Sequence, residues 1–441
     1  MSEPVRRAGV FALLCTLSLA VPLFGPEVAA VLAGIVLLGA VAVTDGPIFD
    51  LLAYPDDYED GRLYGLIAFV LAGVALGLLA TEASMPLAVF VGTVFLIGYG
   101  NFGERLVRTW TEDDVVHAAG FCLAATVAAA VGQAVTVELV GGSVGAALPL
   151  ILFLAASGAL LAALLRDVLL LYDDPIVMLS VGLLLWLLAE LEPAIGTVEI
   201  TVVLAITVAL GYASYALETA SIAGMLTGVL LGLLTIVLGG YGWFVVLISF
   251  FAIGGLSTKF RYDRKEDLGV AEENNGARGT GNVLGNAAVG LVAVLGYAAS
   301  EADFLPVAPE LFLFAFAGSV ATAMSDTLSS EIGSIFETPR LITTLEPVEP
   351  GTDGGVTWQG EVAGITGATI VAAISYTLFP EVGVLGAAIV VAAGFIGMTV
   401  DSLLGATLEG ALLGNQGVNF LATLSGALAA ALLVVSAALV G

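Results

Sequence analysis

Basic charge is what this 441-residue chain has least of: 12 Lys and Arg stand against 39 Asp and Glu, a formal net charge of −27. So acidic a chain repels polyanions, which argues against nucleic acid and anionic lipid surfaces as partners. Lysine occurs twice, as Lys259 and Lys265, and this acidic, lysine-poor balance resembles that of extreme halophiles. The single histidine, His117, stands at the mouth of an apolar run, where a helix-end structural role is the plain reading. The two cysteines, Cys15 and Cys122, lie inside apolar runs and read as small buried hydrophobes. Charged residues of both signs make up 12% of the chain, about half the roughly 25% of a soluble domain.

In place of charge there is apolar length. Hydrophobic residues are 59% of the sequence, and runs of about 17 to 25 residues, enough to cross roughly 30 Å of hydrocarbon, recur along it. About fifteen such segments are expected, among them residues 28–44, 175–191, 308–325 and 383–400, which makes the fold class all-α and polytopic. Arg6 and Arg7 precede the first run, residues 8–24, which reads as a retained helix and not as a signal peptide. The glycines at 239, 240 and 242 imply a tight hairpin between two runs. With the N-terminus cytoplasmic, all twelve Lys and Arg fall on one side of the membrane, as the positive-inside rule requires. Motifs concentrate late, so residues 1–170 are expected to form an accessory region and residues 171–441 the catalytic one.

Two acids stand out there. MSDTLSSEIG (residues 324–333) and VDSLLGATLEG (residues 400–410) each close an apolar run with an Asp, Asp326 and Asp401. A carboxylate at membrane depth is costly and points to function. Asn282 and Asn286 open the run before the first, and Asn415 and Asn419 the run after the second. Residues four apart share a helix face, so each pair aims two amides at one region, and the arrangement reads as a weak internal repeat around a polar pocket.

The segment between residues 257 and 286 holds the concentrated basic charge, including Lys259, Lys265 and Arg278. Its glycines Gly276, Gly279 and Gly281 lead into a helix, a pattern suited to cradling phosphate. A second turn, Gly351, Thr352, Gly354 and Gly355, has residues that permit positive φ and close backbone approach to a ligand. Ser330 shares the Asp326 face. Glu331 points away unless the helix ends there. Asp326 and Asp401, with Glu331, suit Mg2+, which takes few carboxylates plus phosphate and water; paired aspartates of an ion-coupled transporter are the rival reading.

The succession GARGTGNVLGN, SDTLSSEIG, PRLITT, PGTDGGV, DSLLGAT and NQGVNF resembles the transmembrane protein 19 family, also catalogued as domain of unknown function 92, over about residues 175–441. A plant member of that family is a phytyl-phosphate kinase, and the family is distantly similar to CTP-dependent prenol kinases and lipid cytidylyltransferases. The resemblance implies a kinase transferring a phosphoryl group from a nucleoside triphosphate to an isoprenoid monophosphate. For such a reaction the expected catalytic residues are Asp326 and Asp401, holding Mg2+, with Arg278 and Lys259 neutralising phosphate charge, and Ser402, the glycine turns and the Asn pairs are expected at the nucleotide. Ser325, Leu328, Ser329 and Glu409 depart from the family pattern, while Asp326, Ser330, Glu331, Asp401 and Ser402 keep to it.

Overall fold

The computed structural model describes residues 3–168, 174–217, 220–269, 280–336 and 338–440. Their secondary structure is almost wholly helical, the exception being a two-residue antiparallel pair, Arg340–Leu341 with Gly355–Val356. Among the described residues, thirteen helices are long and apolar enough to cross a membrane, or fourteen if a bent pair is one span. All fifteen expected runs are helical, and the difference lies in two 17-residue helices. Pro26–Ala42 bends by 112° into Gly46–Leu52, and Asp174–Glu190 stops short of the others.

The chain divides into two compact units, Met1–Val208 and Ala209–Gly441. In the first, Asp174–Glu190 packs on Val144–Val168, Tyr64–Glu82 and Leu87–Val107, so this helix groups with the front of the chain although the motif count put residue 171 behind the boundary. Arg166 ties three of these helices together, binding Glu104 at 2.9 Å and Asp174 at 3.0 Å.

Among its described residues the second unit has eight whole helices, α1 (Ile222–Gly239), α2 (Tyr241–Thr258), α3 (Tyr262–Asp267), α4 (Thr280–Glu301), α5 (Pro309–Gly333), α6 (Trp358–Leu378), α7 (Val384–Leu408) and α8 (Asn415–Val440). Gly240, at φ +93°, is the one residue between α1 and α2, so the expected hairpin is as tight as a chain can make it. Trp243 on α2 packs at a tilt against Tyr297 of α4 and Phe316 of α5, with ring centroids 4.8 and 4.7 Å away.

Helix α5 is the hub, packed by α4, α6, α7 and α8. Small residues allow it. On α6, a Cβ at Gly364 would stand 2.9 Å from the Ser325 carbonyl oxygen and one at Gly367 2.9 Å from that of Met324, so backbone lies directly on backbone. Both acid-bearing helices outrun the apolar segments that announce them, α5 reaching Gly333 and α7 Leu408.

Candidate functional site

Asp326 and Asp401 occupy equivalent places, each about two turns before the end of its helix. Because α5 and α7 pack together, the two carboxyl groups come within hydrogen-bonding reach of each other. Carboxylates that close need a cation, metal or proton, between them. Asp401 also buries Oδ1 with no hydrogen-bond partner.

Above the pair is a cavity of about 260 Å³. The N-terminal turns of α4 and α8 open onto it through Asn282 and Asn286, and through Asn415 and Asn419. The two pairs are locked alike: Asn286 Nδ2 donates to Asn282 Oδ1 and Asn419 Nδ2 to Asn415 Oδ1, both at 3.3 Å. Helix N-termini carry unsatisfied N–H groups and a positive dipole end, so two of them face the acids across the space.

The segment from Pro350 to Gly355 closes the far side. Gly351 and Gly354 have φ of +84° and +73°, and a Cβ at Gly354 would fall 2.6 Å from the Ser402 carbonyl oxygen. The close approach anticipated for the loop glycines is made by Gly354 to α7, and it seats the loop on the helix that carries Asp401. Thr352 spends its hydroxyl within the turn, donating to Glu349 O at 2.7 Å. Ser330 and Ser402 line the cavity while donating back to Thr327 O and Met398 O, at 3.1 and 3.3 Å.

Some expectations fall elsewhere. Gly276, Arg278 and Gly279 lie outside the described residues. Lys259 caps the C-terminus of α2, is exposed and does not line the cavity. Gly281 is covered by the Gln416 side chain and serves the α4–α8 contact. Helix α5 runs unbroken to Gly333, yet Glu331 reaches the cavity, because the chain after α5 folds back so that the space wraps the last turns of the helix. Its partner there is Lys265, and no group of three metal-ligating side chains forms among the described residues.

Three participants escaped the sequence reading. Lys265 is buried and ion-paired to Glu331; its rarity was the available signal. Asp353 and Glu409 add two carboxylates to the wall. Burial holds the Glu409 carboxyl above its ordinary range, the charge of Asp353 adds to this, and the Asn415 amide opposes it. Asp326, Glu331, Asp353, Asp401 and Glu409 give the lining five acids, and no Lys or Arg among the described residues shares it. The donor set fits Mg2+: two hard oxygen ligands, one atom of them orphaned, with the remaining positions left to water and phosphate.

Known proteins with similar sequences come from distant organisms. An uncharacterized membrane protein of Methanocaldococcus jannaschii is 34% identical over 205 residues, 46% of this chain and 81% of its own. One from a Synechocystis strain is 33% identical over 201 residues, 44% of this chain and 74% of its own. Protein VTE6, chloroplastic, of Arabidopsis thaliana is 35% identical over 192 residues, 43% of this chain and 56% of its own. No solved structure matches. The family described as integral membrane protein DUF92 matches residues 205–427, half of the sequence and nearly all of the second unit, and this multi-pass membrane protein belongs to it.

Proposed function

We propose that the protein is a membrane-embedded kinase that transfers a phosphoryl group from a nucleoside triphosphate to an isoprenoid monophosphate. The observation that carries this reading is the meeting of Asp326 and Asp401, from two packed helices, beneath two asparagine-bearing helix N-termini in one polar cavity. In this reading Asp326 and Asp401 hold Mg2+, which when bound neutralises charge on the phosphates of both substrates. The N–H groups of the first turns of α4 and α8, with Asn282, Asn286, Asn415 and Asn419, hydrogen-bond phosphate oxygens and orient them. An oxygen of the acceptor phosphate attacks the γ-phosphorus; as that P–O bond forms, the bond to the β,γ-bridging oxygen breaks and the nucleoside diphosphate leaves with its electron pair. The attacking oxygen is already anionic, so no strong base is needed. His117, which belongs to the first unit, is not called on. The isoprenoid chain lies among the helices, in a cell membrane, with the cavity open to the cytoplasm.

The test is purified protein with geranylgeranyl or phytyl monophosphate, Mg2+ and each nucleoside triphosphate in turn. Diphosphate product is expected. A prenol accepted in place of its monophosphate would reassign the protein to the prenol kinases, and a CDP-lipid to the cytidylyltransferases. The excess of acids in the cavity favours a second reading, an ion-coupled transporter. Solute uptake by vesicles, with no product from any acceptor, would establish that reading instead.

A further inference from the structure

We infer that Lys265 is a positioning residue for the reaction proposed above, on which this inference rests, and that Glu331 is its anchor and not a ligand of the cation between Asp326 and Asp401. Lys265 is 1% exposed. An ammonium has three hydrogens, and here three acceptors meet it: Ser257 O at 3.0 Å, Thr258 O at 3.1 Å and the Glu331 carboxylate. Two are the last carbonyls of α2, the Ser257 oxygen being shared with the Phe260 N–H at 3.0 Å. Nothing remains on Lys265 to bind phosphate.

The same geometry decides the role of Glu331. Five residues beyond Asp326 on a continuous helix, it projects about 140° away around the axis, toward the buried ammonium. A second stitch lies beside it, with Arg264 Nε donating to Ile335 O at 2.9 Å. Helix α3 is thus fastened once to the last turn of α5, at Glu331, and once to the chain just after it, at Ile335, the stretch whose Ser330 and Ser334 line the cavity. The pair holds one wall of the site in place, Glu331 from within the lining and Lys265 from behind it.

Three measurements on the full-length protein test this. In Mn2+ titrations without nucleotide, Glu331→Gln should bind within about threefold of the parent, whereas Asp401→Asn should weaken binding by roughly 100-fold. Chymotrypsin should cut at Phe260 or Tyr262 about tenfold faster in Glu331→Gln and in Lys265→Met, and no faster in Asp401→Asn. In turnover assays Glu331→Gln should raise the nucleotide KM about tenfold with kcat within about twofold, a split that general loss of folded protein would not produce. Should Lys265→Met fail to fold, Glu331→Gln and the double variant Lys265→Met/Glu331→Gln, which leaves no unpaired buried charge, carry the test. Loss of Mn2+ in Glu331→Gln as complete as in Asp401→Asn would make Glu331 a ligand and overturn the inference, as would unchanged cleavage in the variants. Parent-like Mn2+ binding by Asp401→Asn would instead remove the metal site proposed above, leaving the cleavage result to decide the role of Lys265.

Discussion

Asp326 and Asp401 answer to each other, so neither is expected to tolerate loss of its charge. Asp326→Asn or Asp401→Asn should lower turnover by roughly 100-fold or more, while size-exclusion profiles in detergent stay those of folded protein. Glu409 behaves in the opposite sense. Its carboxyl is held above its ordinary range by burial and by Asp353, so the ionised form weakens the folded state. The penalty is complete above the folded-state pKa and absent below the unfolded one. Glu409→Gln should therefore melt higher than the parent at neutral pH, with the gain fading as pH falls toward the usual glutamate value. Polar residues isolated in apolar surroundings were readable from the sequence: the two Asp and the four Asn gather as their spacing implied. Lys265 and Asp353 were not, because each sits among other charges, and Glu409, though after residue 381 only Asp401 shares its charge, stood out only as a departure from the family pattern; the folded chain shows which charges are withdrawn from water.

Helix centres were legible and helix ends were not. Apolar runs mark the part of each helix that meets lipid, but α5 and α7 continue past it, since turns facing a protein cavity need no apolar side chains and their Ser and Thr hydroxyls bond back to the helix, as Ser330 does to Thr327 O. The seam between α5 and α6 was equally hidden, because glycine is common throughout the chain. A methyl at Gly367 would press on the Met324 backbone, so Gly367→Ala should cost about 1–3 kcal/mol by overpacking. Gly34, on Pro26–Ala42, has nothing within 4 Å of such a methyl, and Gly34→Ala should leave the melting temperature unchanged or higher. Thermal denaturation of the two variants in one detergent checks both.

For the molecule, what matters is how many times the chain crosses. The positive-inside pattern needs Asp174–Glu190 to be a full span, although 17 residues of helix reach only about 25 Å. A cysteine at Ala194, just beyond that helix, reports on it. If the helix crosses, Ala194→Cys should react with an impermeant maleimide from the same side as Ser143→Cys and from the side opposite Thr109→Cys; labelling alongside Thr109→Cys would show that it does not. The native thiols make a quiet background, Cys15 being buried and Cys122 half-buried.

The seating of Gly354 on α7 has a consequence for affinity. A binding loop that hangs free must be ordered anew by every ligand, and the entropy of doing so is subtracted from the attraction. Here the loop already rests on α7 in the folded chain, so a visitor to the cavity should lose less of its attraction to ordering that wall.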